Sequence, residues 1–90
     1  MNGVPLPPGT RVPVVLPDLG APTVRVSVWF AEPGDLVYAG DRLIEVSVNG
    51  ATFDVASPAT GWLAERLVWP SDVLQPQQVL GTVAVAPEED

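Results

Sequence analysis

The stretch Ile44-Glu45-Val46-Ser47-Val48-Asn49-Gly50-Ala51-Thr52-Phe53-Asp54-Val55 decides how this chain folds. Two runs that alternate apolar and polar residues flank the dipeptide Asn49-Gly50. A two-residue type I′ turn needs positive φ at both central positions, and Asn and Gly tolerate this best, so the stretch predicts a tight β-hairpin. The turn also sets the register. It places Val48 opposite Ala51, Ser47 opposite Thr52, Val46 opposite Phe53, Glu45 opposite Asp54 and Ile44 opposite Val55. Side chains alternate along a strand, so Ile44, Val46, Val48, Ala51, Phe53 and Val55 share one face, the predicted core face. Glu45, Ser47, Thr52 and Asp54 share the other.

Working outward, the rest of the chain is punctuated in the same way. Eleven prolines and eight glycines among 90 residues leave no room for long helices, and valine is abundant throughout. Short apolar runs between turn residues indicate an all-β sandwich or barrel. We expect eight strands, at Val12–Leu16, Thr23–Phe30, Leu36–Val37, Arg42–Val48, Ala51–Ala56, Gly61–Trp69, Val73–Leu74 and Val79–Val85. Residues 1–11, with Pro5, Pro7, Pro8 and Gly9, read as a flexible lead-in, 12–86 as the folded domain, and 87–90 as an acidic tail.

The chain also repeats itself. A shift of 37 positions brings Thr23 onto Thr60, Pro33 onto Pro70, Asp35 onto Asp72, Leu43 onto Leu80, Val46 onto Val83 and Val48 onto Val85. Turn residues fall on turn residues and apolar positions on apolar positions. Two copies related by a pseudo-twofold axis would each supply half of one core, because neither half can bury its apolar face alone.

Composition narrows the chemistry. The 90 residues contain no cysteine, so there is no disulfide and no thiolate. They contain no histidine, and all four basic residues are arginines: Arg11, Arg25, Arg42 and Arg66. The usual general bases and activated nucleophiles are therefore missing, and Ser27, Ser57 and Ser71 have no base beside them in the sequence. A net charge of −7 repels phosphate backbones and anionic bilayers, which argues against nucleic-acid and membrane partners. With no long apolar run and no signal peptide, the expected location is the cytoplasm. Glu45 and Asp54 face each other across the hairpin and could form an acid/base or cation pair. A solvated face with a repulsion of ~0.5 kcal/mol is the plainer reading. Asp18, Asp35 and Asp72 lie beside Pro or Gly and should cap turn N–H groups.

Leu16-Pro17-Asp18-Leu19-Gly20, Glu32-Pro33-Gly34-Asp35 running on to Val46, Ser57-Pro58-Ala59-Thr60-Gly61 and Gln77-Gln78-Val79-Leu80 complete a pattern that resembles the biotinyl/lipoyl attachment domains. The resemblance is nearest to the lipoyl domain of dihydrolipoyl acyltransferases in 2-oxo-acid dehydrogenase complexes, and it covers residues 12–85. It implies an all-β fold, a flattened β-barrel (a barrel-sandwich hybrid) of two four-stranded antiparallel sheets with pseudo-twofold symmetry. It also implies a hairpin tip that displays one lysine, acylated by lipoate or biotin. On that alignment Asn49 stands where the family has aspartate, Gly50 where it has the lysine, and Ala51 keeps the family alanine. The 90 residues hold no lysine at all, so the family's cofactors have nothing to attach to and none is expected here.

Two readings follow from the resemblance. One is a naturally lysine-free, non-catalytic protein-binding or structural module. Its partners, by analogy, would be components of a 2-oxo-acid dehydrogenase complex or a ligase. The other is a lipoyl or biotinyl carrier domain whose lysine has been removed by design. The optimised Asn-Gly turn and the loss of every lysine favour the first. The resemblance also places Trp62 and Trp69 on the exposed side of the sixth strand, where polar residues usually stand, making them candidate partner contacts. The alternative is that they pack beneath the N-terminal arm. Trp29 is expected in core or edge packing.

Overall fold

The computed structural model describes residues 10–85. It contains eight strands: β1 (Thr10–Val15), β2 (Val24–Trp29), β3 (Leu36–Val37), β4 (Arg42–Val48), β5 (Ala51–Ala56), β6 (Gly61–Arg66), β7 (Val73–Leu74) and β8 (Val79–Val85). They form two four-stranded antiparallel sheets, ordered β1-β8-β6-β3 and β5-β4-β2-β7. The expected pair of sheets is present, but the two are not closed into a barrel. No described residue is helical, and no helix is long and apolar enough to cross a membrane.

Five strands have the expected bounds. β1 starts two residues earlier than expected, so Thr10 and Arg11 belong to the sheet and not to a lead-in. Both pair with the far end of β8, Thr10 with Val85 and Arg11 with Ala84, and this pairing overrides the local proline-rich composition. Residues 1–9 of the expected lead-in, residue 86 of the expected domain and the expected tail 87–90 lie outside the described residues. β6 ends at Arg66, three residues short of Trp69, because the chain there turns across to the other sheet through Pro70.

The repeat is real in three dimensions. Adding 37 to the bounds of β2, β3 and β4 gives those of β6, β7 and β8. The bulge between Val26 and Val28 recurs between Leu63 and Glu65. Both short strands cross over: β3 pairs with β6 of the second half, and β7 pairs with β2 of the first. Each sheet thus borrows a strand from the opposite half. The core between the sheets holds Val14, Leu16, Leu43, Ile44, Val46, Leu63, Leu80 and Val83, all nearly inaccessible. Burying each such side chain contributes roughly 1.5–3 kcal/mol.

The hairpin register is the expected one at all five pairs from Ile44–Val55 to Val48–Ala51. Its core face is only partly buried, however. Ile44, Val46 and Val55 are buried, Val48 is half-buried, and Ala51 and Phe53 are exposed. Phe53 keeps 42% of its surface because β5 is the edge of its sheet. Alternation sets the side of the sheet a residue faces, but not whether the opposing sheet reaches over it.

Candidate functional site

The hairpin tip is a two-residue turn in which Asn49 has φ 51° and Gly50 has φ 82°. Both values are those of a type I′ turn, whose twist matches that of the strands it joins. Both residues are exposed, and a Cβ built on Gly50 would meet nothing within 4 Å. A side chain at this position would project into open solvent. Val24, the first residue of β2, pairs with Val48 and supports one flank of the tip. The segment that leads into Val24 is anchored by Leu19 and Ala21, which pack on the core, and by Asp18, whose Oδ1 accepts the Gly20 N–H at 2.9 Å. The internal twofold maps the Val48/Ala51 pair onto Val85/Thr10, so the hairpin closes in one half what the other half leaves as two strand ends.

The acidic pair is adjacent as expected, with Glu45 opposite Asp54. Arg42 Nη1 lies 3.6 Å from Asp54 Oδ2, so a cation relieves part of the repulsion on that face. An exposed pair of this kind contributes ~0–1 kcal/mol. Among the described residues no three His, Cys, Asp or Glu side chains cluster as metal ligands. Asp18, Asp35, Asp41 and Asp72 act as turn caps. Asp35 Oδ2 accepts the Glu32 N–H and Asp72 Oδ2 accepts the Trp69 N–H, both at 2.9 Å. Ser57 is buried and donates to the Ala59 carbonyl at 2.7 Å, a local structural bond.

The two candidate tryptophans are not brought together. Trp62 is half-buried on the outer face of its sheet, beside Leu36 and Ala84. Trp69 is not on the sixth strand. It opens the turn Trp69–Asp72 beyond the other end of β6, is 52% exposed, and has the Arg66 guanidinium 5.6 Å from its ring centre. Trp29 packs against the core and donates its indole N–H to the Val68 carbonyl at 2.9 Å.

Sequence reasoning missed one surface feature. An open groove of about 570 Å³ runs beside β3 and is lined by Phe30, Asp35, Leu36, Asp41 and Arg42, among others. Its residues come from three short segments, and no single stretch of the sequence signals it.

Known proteins agree with this architecture. The biotin/lipoyl family model, described as "Biotin-requiring enzyme", matches residues 12–83. None of the curated proteins matches the sequence. Among solved structures, the lipoyl domain of the 2-oxoglutarate dehydrogenase complex from Azotobacter vinelandii superposes with a TM-score of 0.66 at 18% identity. The match covers 82% of this chain and 99% of that one, and at such identity it speaks for the fold alone. The repeated half-sheets, the crossed short strands and the family match over residues 12–83 lead to one assignment: the chain belongs to the biotin/lipoyl family.

Proposed function

We propose that this chain is a biotin/lipoyl-fold module that acts through its surface as a non-catalytic protein-binding or structural unit, not as a carrier of an acyl group. One observation carries the reading. The hairpin tip, where the family displays its acceptor lysine, is Asn49-Gly50, and the 90 residues contain no lysine. Amide attachment needs a primary amine on a flexible stem, and Gly50 has no side chain. By family analogy, the partner would be a component of a 2-oxo-acid dehydrogenase complex or a ligase.

Co-expression with lipoate ligase and biotin ligase, followed by intact-mass measurement, tests this. No mass increase is expected from either, and a lipoyl or biotinyl adduct on the unaltered chain overturns the reading. The double variant Asn49→Asp/Gly50→Lys should gain the adduct, since a side chain at position 50 meets no obstacle. The second reading, a carrier whose lysine was replaced by design, makes a different prediction: the native coding region would then specify lysine at position 50.

A further inference from the structure

The free edge of β3 and the groove beside it form the strongest unassigned feature of the molecule. β3 is the last strand of its sheet. Gly34 N–H donates to the Leu63 carbonyl and Leu63 N–H to the Asp35 carbonyl, each within 2.9 Å. Val37 pairs next with Gly61, leaving Leu36 opposite Trp62 in the intervening pair. In an antiparallel ladder, bonding alternates along the strand, so the Leu36 N–H and C=O point away from β6 and off the sheet. No turn or loop bond among the described residues uses them. An open edge of this kind is a template for another extended chain.

The surroundings of that edge indicate what would occupy it. Phe30 and Leu36, 40% and 50% exposed, offer an apolar floor, and the outer-face Trp62 lies beside Leu36. Asp35 and Asp41 line the same groove, and Glu32 adjoins it. Each aspartate spends one oxygen on a turn N–H: Asp35 Oδ2 on Glu32 at 2.9 Å and Asp41 Oδ2 on Tyr38 at 3.0 Å. Neither Oδ1 is bonded within the described residues. The one cation in the groove, Arg42, covers part of the Phe30 face and pairs with Asp54, not with Asp35 or Asp41. Its guanidinium lies 4.4 Å over the Phe30 ring and 3.6 Å from Asp54. The groove therefore combines open backbone, apolar surface and two carboxylates that form no ion pair with its single arginine.

The internal repeat supplies a comparison. The matching edge is β7, and there Leu67 replaces Phe30, Gln78 replaces Asp41, Val79 replaces Arg42 and Trp69 replaces Glu32. Two of the three carboxylates are gone in that half, although the backbone path is the same.

We infer that the β3 edge and its groove bind an extended, positively charged peptide segment of a protein partner by strand addition. The inference rests on the reading of the chain as a protein-binding module, and it names where and what that module binds. The peptide backbone would pair with Leu36, and alternate Lys or Arg side chains would reach Asp35 and Asp41.

A capped peptide of alternating Val and Lys tests this by NMR titration of the ¹⁵N-labelled chain, with a Val/Glu peptide in parallel. The expected result is shifts confined to Phe30–Leu43 and Trp62, weakened by added salt and absent with the Glu peptide. Leu36→Pro removes the outward-facing N–H, a substitution that edge strands tolerate, and trims the apolar floor. It should weaken binding by roughly tenfold or more, whereas Leu36→Ala, which keeps the N–H, should weaken it less. Unchanged amide shifts at Ile44 and Leu63 would show that the proline variant is folded. Asp35→Asn/Asp41→Asn keeps an oxygen for each turn bond while removing both charges, and should weaken binding to a similar degree. No shifts, equal response to both peptides, or shifts centred on β5 or β7 would overturn the inference. The mass measurement above is independent. An adduct would sink the non-carrier reading whatever the peptide does, and a silent titration would leave the mass result standing.

Discussion

Four turns share one hydrogen-bond pattern and positive φ at the third residue, which is glycine in two of them and not in the other two. Glu32-Pro33-Gly34-Asp35 and Trp69-Pro70-Ser71-Asp72 both close with an N–H···O bond of 3.0 Å from the fourth residue to the first. With Pro in second place and positive φ in third, each is a type II turn. The third residue is Gly34 with φ 96° in one half and Ser71 with φ 79° in the other. The same contrast recurs at Gly40 (φ 93°) and Gln77 (φ 65°). An L side chain in this region costs about 1–2 kcal/mol, partly offset by the greater freedom of glycine in the unfolded chain. Ser71→Gly and Gln77→Gly should therefore each stabilise the fold by about 0.5–1 kcal/mol, read as a rise in the midpoint of urea unfolding. Gly40→Ser should lower it by a similar amount, with no steric contribution, because nothing lies within 4 Å of its Cβ position. The same argument applies at the tip, where Gly50→Lys should cost about 1 kcal/mol while making an acceptor.

At the scale of elements, the repeat breaks where the sheets meet. Trp29 of β2 is equivalent to Arg66 of β6, and Ile44 of β4 to Gly81 of β8. The Trp29 ring reaches across to Gly81, and one of its carbons would lie 3.1 Å from a Cβ at that position. One half thus packs a large residue on glycine where the other half has arginine and isoleucine at the equivalent positions. The bulk of Trp29 is accommodated only because position 81 is empty. Gly81→Ala should destabilise by about 1–3 kcal/mol, since the new methyl would press on the Glu65 carbonyl as well as the indole. Trp29→Phe should cost about 1 kcal/mol through loss of the bond to the Val68 carbonyl. Denaturant titration measures both, and a Gly81→Ala variant as stable as the parent would contradict the packing account. These exchanges could not be read from the repeat, because a 37-residue shift aligns positions within one chain and says nothing of which side chains meet across the gap.

At the scale of the whole molecule, strand exchange makes the two halves one cooperative unit. β2 lacks its outer neighbour without β7, and β6 lacks its own without β3. Residues 10–48 alone would expose Leu43, Ile44 and Val46, which are fully buried in the intact domain. That fragment should be unfolded, with collapsed amide dispersion in its NMR spectrum. In the whole chain Leu63→Ala should cost about 2–5 kcal/mol, a large share of the roughly 5–15 kcal/mol available to a domain. The charge of the surface is also a property of the assembled molecule. Asp35 and Asp41 line one groove, with Glu32 beside it, where the turns on either side of β3 fold Phe30–Ala31, Asp35–Val37 and Asp41–Leu43 together while β3 pairs with β6 of the other half.

The sequence by itself determined the hairpin, its register, the bounds of most strands, the repeat and the absence of any lysine. These are local properties: turn geometry, a side-chain period of two, and composition. Only the tertiary structure decided how far the facing sheet covers Phe53, that Trp69 leaves the sixth strand for a turn, that Thr10 and Arg11 join β1, and that β3 presents an open edge beside a groove lined by two carboxylates. Those outcomes depend on which segments meet across the gap between the sheets. That meeting is fixed by the packing of residues far apart in the chain, on which local pattern places no constraint.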